Sequence, residues 1–311
     1  MQMREINLLL AIGIFLALEL PLQNAAGTAA PASAAVSSIT LHAERTSPLD
    51  LEVSGELSGV PPGSTRYLKR DDLLALPQST FIVKNDANFR GPTQVSGVML
   101  DELIRKLGVA PESDMVVAIC ADQYRANYPQ AYIAEHHPLL VLKVNDQPPS
   151  GWPKDAEGPS AEGHGQDMGP YMISHPKFLP SFKVSPMGDE AQIPWGVVRI
   201  EVRNEKTVYD AITPHGLHAA DEMVQSGYWL ARQNCFRCHH NGKEGGTKAG
   251  HPWQVLSAWA TASPEYFDAY VRNPKSKNPN AQMPGNPGYS DKNIAALTAY
   301  FQAFSAPPEK P

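Results

Sequence analysis

Cys235-Phe236-Arg237-Cys238-His239 is a C-x-x-C-H run, and its chemistry decides how the rest of the chain is read. Two thiols at this spacing can reach the two vinyl groups of one haem from a single helical turn, holding it covalently. His239 follows directly and can offer an imidazole nitrogen to the iron. A bare C-x-x-C also suits a redox dithiol or half of a zinc site. The trailing histidine favours haem, and the surrounding sequence has to carry the choice.

The segment around the motif has a helical pattern. Asp221 to Leu230 reads as an amphipathic helix leading into it, with acidic residues in the first turn where the helix dipole favours them. Ser263-Pro264-Glu265 is a helix start, with serine as N-cap and proline at the first helical position. Ser290 caps a final helix whose Ile294, Leu297, Thr298 and Phe301 recur at three- and four-residue spacing, a buried stripe. Residues 218–307 resemble a class I cytochrome c. The resemblance implies that Gly227 lets the first helix cross the last one closely. It also implies that Met283, in Ala281-Gln282-Met283-Pro284-Gly285, is the second axial ligand of the iron opposite His239. His240 and His251 are the competing ligands. Pro252 matches the family proline whose carbonyl accepts a hydrogen bond from the proximal imidazole, an outer-shell contact that fixes the tautomer. His/Met ligation raises the reduction potential and leaves no vacant site on the iron. One covalent haem c, with Cys235 and Cys238 as its tethers, is the cofactor expected.

The N-terminus fits export, which covalent haem attachment implies. Leu8 to Leu18 is an apolar run of eleven residues, too short to span a bilayer and of signal-peptide size. Residues 1–34 read as a cleaved signal peptide, with a periplasmic destination and no membrane span afterwards. Net charge is −6 over 311 residues, which gives no sign of nucleic-acid binding. The 29 prolines and 23 glycines point to loop-rich architecture in about two domains. With two of three cysteines claimed by haem, Cys120 is read as a buried free thiol.

Residues 35–66 read as an N-terminal arm with one or two edge strands. From about residue 67 to 207 helix and strand signals alternate. Leu68 to Pro77 is a strand end and a helix stopped by proline, Phe81–Lys84 a strand, and Gly97–Gly108 an amphipathic helix. Met115–Cys120, Leu139–Val144 and Val197–Val202 are strands. The proline-rich stretch between Pro148 and Pro194, with His164, Met168, Met172, His175 and Met187, reads as a loop wrapping the sheet. Residues 208–217 read as a linker. The succession resembles the molybdopterin-binding domain of the sulfite oxidase family, through DDLLALP, SGVMLDELI, the Asp122-Gln123-Tyr124 turn and Pro194 to Val202. That family ligates molybdenum through a cysteine just before the GV-x-L helix. Phe81 to Pro92 contains none, and Gln123 stands where the family has glycine. A molybdenum cofactor is therefore not expected.

The expected fold is α+β: a sulfite-oxidase-like mixed domain followed by an all-α class I cytochrome c domain. The expected function is single-electron transfer to or from a redox partner protein, a dehydrogenase or an oxidase, with the front domain as docking module. The alternative is a molybdenum-dependent oxidoreductase passing electrons to its own haem. A redox sensor, with haem state controlling the front domain, is a third reading.

Overall fold

The computed structural model describes residues 39–84, 86–152, 168–176 and 192–305. The signal-peptide stretch, His164 and Met187 lie outside them. The front half is a mixed sheet: β1 (Leu51–Gly55), β2 (Arg66–Leu68), β3 (Ser79–Val83), β4 (Thr93–Met99), β5 (Met115–Cys120), β6 (Arg125–Pro129), β7 (Leu139–Val144), β8 (Tyr171–Ser174) and β9 (Trp195–Arg203). Short helices α1 (Arg70–Leu74), α2 (Leu100–Leu107), α3 (Gln130–His136) and α4 (Glu205–Asp210) are interspersed with them. The main path runs β2-β1-β9-β8-β7-β4-β3, with β5 also joined to β9 and β6 joined to β5.

β9 organises this sheet. Ile200 pairs with both Val53 and Ala118, and Val197 with both Tyr171 and Cys120. A residue has only two strand edges. β5 therefore runs along one edge of β9, while β1 and β8 share the other. Among the described residues, only the β1–β9 pairing is parallel.

The stretch read as an N-terminal arm supplies an interior strand: β1 lies between β2 and β9, with Leu51 and Val53 fully buried. Tyr171–Ser174, taken as part of a wrapping loop, is a strand between β7 and β9. Its four residues are all buried, so it reads as a continuous apolar run with no alternation to mark it. The amphipathic helix starts at Leu100, not Gly97. Gly97, Val98 and Met99 extend β4 by pairing with Val141, Leu140 and Leu139, a long-range partnership that local helical spacing does not reveal.

The alternation of side chains along a strand divides the core. Val116, Ala118 and Cys120 of β5 join one apolar cluster, with Leu103, Leu142, Ile173 and Ile200. Met115, Val117 and Ile119 point the other way, into a second cluster formed with the C-terminal helices. Val208, Tyr209 and Ile212, within the stretch read as a linker, are buried in that second cluster. The C-terminal region is helical: α5 (Glu222–Leu230), α6 (Trp253–Ala262), α7 (Pro264–Arg272) and α8 (Asp291–Ser305), with a small hairpin of β10 (His240–Asn241) and β11 (Glu244–Gly245). Among the described residues no helix is long and apolar enough to cross a membrane.

Candidate haem centre

Asp221 starts α5 by accepting hydrogen bonds from the backbone N–H groups of Met223 and Val224 at 2.8 and 3.1 Å. At Gly227 the helix crosses α8 so closely that a Cβ would stand 2.0 Å from the Ala296 carbonyl oxygen. Only glycine permits that crossing. A single π-helical turn, Ala231–Cys235, follows and delivers the chain to the motif. The motif then folds back on itself. The N–H groups of Cys238 and His239 both donate to the Cys235 carbonyl, at 3.2 and 2.9 Å.

The next three carbonyls of the motif are satisfied from outside it. Phe236 accepts from Gly246 N–H, Arg237 from Arg125 N–H, and Cys238 from Ala249 N–H, each at 2.9 Å. Arg125 belongs to the front domain, so both halves of the chain hold this loop. Gly246 passes so near that a Cβ would meet the Arg237 carbonyl oxygen at 1.7 Å. Phe236 is buried edge-on to Trp253, with ring centroids 5.6 Å apart.

His239 is nearly buried, and its Nδ1 donates to the carbonyl of His251 at 2.7 Å. The expected acceptor was Pro252. Pro252 is the N-cap of α6, and its carbonyl is taken by Val255 N–H at 2.9 Å, so the contact falls one residue earlier. Its effect is the same. Nδ1 carries the proton, and Nε2 makes no hydrogen bond among the described residues. Burial also lowers the His239 pKa, with the His251 bond opposing it, so the ring stays neutral at physiological pH. Burial pushes the Cys235 thiol up to about 12 and raises that of Cys238 as well. The two cysteines are not joined in a disulfide. Two neutral free thiols and a neutral imidazole with one open nitrogen form a donor set that fits a covalently tethered haem.

Met283 is half-buried and packs against the same apolar cluster as Cys235, alongside Phe267, Val271, Ile294 and Leu297. Its loop is closed at the base. Asn286 N–H bonds the Val271 and Arg272 carbonyls, and Arg272 reaches the Tyr289 carbonyl at 2.6 Å and Asp291 at 2.7 Å. The competing histidines are otherwise engaged: His240 Nδ1 donates to the Gly242 carbonyl at 3.2 Å, and the exposed His251 ring packs edge-on to Trp259. Ser290 caps α8 through Asn293 N–H at 3.2 Å. Ser263 stands at the N-cap of α7 without a side-chain capping bond.

Sequence reasoning missed the contacts between the front domain and this loop. Gln123 has φ +70°, so the turn keeps a left-handed residue without the expected glycine. Its carbonyl accepts from Thr247 N–H at 3.3 Å, and Asp122 pairs with Lys248 at 2.7 Å. Tyr124 Oη accepts from Arg237 Nη1 at 2.9 Å. Glu244 draws Arg203 to 2.5 Å and Arg125 to 3.8 Å, and Arg232 pairs with Glu205 at 2.6 Å. Asn241 donates to the Ala211 carbonyl at 2.6 Å. The one available signal was the Asp122-Gln123-Tyr124 motif, and no spacing connects it to Arg237, more than a hundred residues away.

The stretch expected to precede a molybdenum-binding helix is filled by internal bonds. Asp86 is buried, accepts from Ser174 Oγ at 2.6 Å and from Asn88 N–H at 2.9 Å, and is pushed upward in pKa by burial. Cys120 is buried in the sheet core, and burial pushes its thiol up as well. These residues do not fit a thiolate-anchored molybdenum site.

Residues 222–301 match the family described as cytochrome c oxidase, cbb3-type, subunit III. No curated protein matches the chain. Among solved structures, the sulfane dehydrogenase SoxCD from Paracoccus pantotrophus is 14% identical with a TM-score of 0.35, over 52% of this chain and 40% of that one. The present chain thus spans well under half of that structure's length. The C-terminal helical region is a cytochrome c domain, a haem-carrying electron-transfer module, and it follows a mixed α/β domain in the same chain.

Proposed function

We propose that this chain is an exported, single-haem c-type cytochrome that passes one electron at a time to and from a protein partner. The observation that carries this reading is the His239 arrangement: Nδ1 tied to the His251 carbonyl at 2.7 Å beside two free, neutral thiols. Haem bound there supplies a one-electron ferric/ferrous couple. Cys235 and Cys238 would tether it, and His239 Nε2 and Met283 would hold the iron. The thioether favours ferrous iron and raises the potential. Phe267, Val271, Ile294 and Leu297 belong to the apolar cluster against which Cys235 and Met283 pack.

The front domain serves as the docking platform. A second reading, internal transfer from a redox centre in the front domain, is favoured by one observation: Gln123 and Arg125 bond directly to the haem loop. Elemental analysis separates the two, on mature protein from a host competent for haem attachment and molybdenum-cofactor synthesis. Iron near one per chain with molybdenum near zero supports the carrier. Molybdenum approaching the iron content overturns it. Absence of covalently bound iron sinks both.

A further inference from the structure

We propose that the front domain sets the reduction potential of the haem through Arg237, which Tyr124 holds as a buried cation beside the attachment cysteines. The inference rests on the haem reading above and adds a role for the front domain that docking does not require.

Arg237 lies between the two tethering cysteines in sequence and is only 5% exposed. Guanidinium does not lose its proton in proteins, so the charge is permanent. Nη1 donates to Tyr124 Oη at 2.9 Å. Nη2 is buried with no hydrogen-bond partner, and among the described residues no carboxylate pairs with the group. The nearest opposite charge on the turn, Asp122, is already neutralised by Lys248 at 2.7 Å. Burying an uncompensated charge is costly. Here the cost is partly offset by an acceptor that only the front domain provides.

That acceptor is firmly placed. Tyr124 N–H donates to Asp122 Oδ1 at 3.0 Å, and Gln123 N–H to the Cys120 carbonyl at 2.9 Å. Arg237 stands two residues after Cys235 and directly before Cys238, so its charge is carried on the same short loop as both tethers. Ferric haem carries one more positive charge than ferrous haem. A fixed cation at this place therefore disfavours the ferric state and raises the potential, more strongly in a low-dielectric interior than in water.

The test is a spectroelectrochemical titration of the full holoprotein and three variants. Covalent haem is first established by absorbance after denaturation. Its absence from the parent protein would overturn the haem reading itself, before any potential is measured. With haem in place, Arg237→Gln should make reduction by a fixed mediator about tenfold less favourable, a fall of about 59 mV for one electron. Arg237→Lys keeps the charge and should stay near the parent value. Tyr124→Phe removes the acceptor and should fall between. A parent-like potential in Arg237→Gln overturns the proposal. If that variant does not mature, an unchanged potential in Tyr124→Phe overturns it instead.

Discussion

His175 shows how one buried side chain links sequence to a measurable pH dependence. It directly follows β8, is 1% exposed, lies 3.0 Å from Tyr132 Oη through Nε2, and has its pKa lowered to about 3, chiefly by burial with His136 adding to it. The unfolded chain binds a proton at this residue below about pH 6.5, whereas the folded chain does not until about pH 3. Stability is therefore fully present above pH 6.5 and lost as pH falls below it, by about 1.4 kcal/mol per unit. Denaturant titrations at pH 7 and pH 5 should show the parent losing about 2 kcal/mol more than His175→Gln. Equal losses would refute the assignment. At Gly227 the expectation is steric: Gly227→Ala sets a Cβ against the Ala296 carbonyl and should cost about 3 kcal/mol in thermal unfolding. Met283→Ala should lower the potential and open the iron to an added ligand such as imidazole. An unchanged potential and no ligand binding would remove Met283 from the axial position. The Cys235, Cys238 and His239 run was legible in sequence because it is a short spacing, whereas the close crossing at Gly227 came only through the family resemblance, since its partner Ala296 lies far along the chain. His175 was not legible, since nothing local says that β8 lies inside the sheet.

Among the elements, the apolar runs of β5 and β7 were read at their observed bounds, while β8 and the boundary between β4 and α2 were not, because distant pairing decides them. α8 shows both cases. Its Ile294, Leu297 and Phe301 stripe was plain, but Tyr300 is also fully buried. Its hydroxyl accepts from Trp253 Nε1 at 3.1 Å and donates to the Ile212 carbonyl at 2.5 Å. No pattern within the helix announces that second buried edge, which exists because a segment nearly ninety residues earlier packs there. Tyr300→Phe leaves the Ile212 carbonyl and the indole N–H unsatisfied and should cost about 1–3 kcal/mol, read by chemical denaturation. A loss below a few tenths would mean that water replaces the hydroxyl. The turn 122–125 makes the same point: its residues were noted, but their partners Thr247, Lys248 and Arg237 are set by tertiary packing.

At the scale of the whole molecule, one apolar cluster is shared between β5 and the cytochrome helices. Met115, Val117 and Ile119 lie in the same core as Trp253, Leu297 and Phe301. Neither half covers that surface alone, so heating should give one cooperative transition, with the haem band and the far-ultraviolet signal changing together. Two separated midpoints would show that the halves melt independently. The mixed-then-helical order was legible because the helical period and the strand runs lie in different parts of the chain. The shared core was not, because both faces of β5 are apolar, and sequence cannot say which neighbour covers which. The burial of Val208, Tyr209 and Ile212 has one more consequence. Carriers hung on a loose tether exchange electrons at a rate governed by how fast the tethered module swings through solvent. Here the connecting segment is packed in the core, so electron exchange with a partner already bound should be indifferent to solvent viscosity, and glycerol should slow only the encounter.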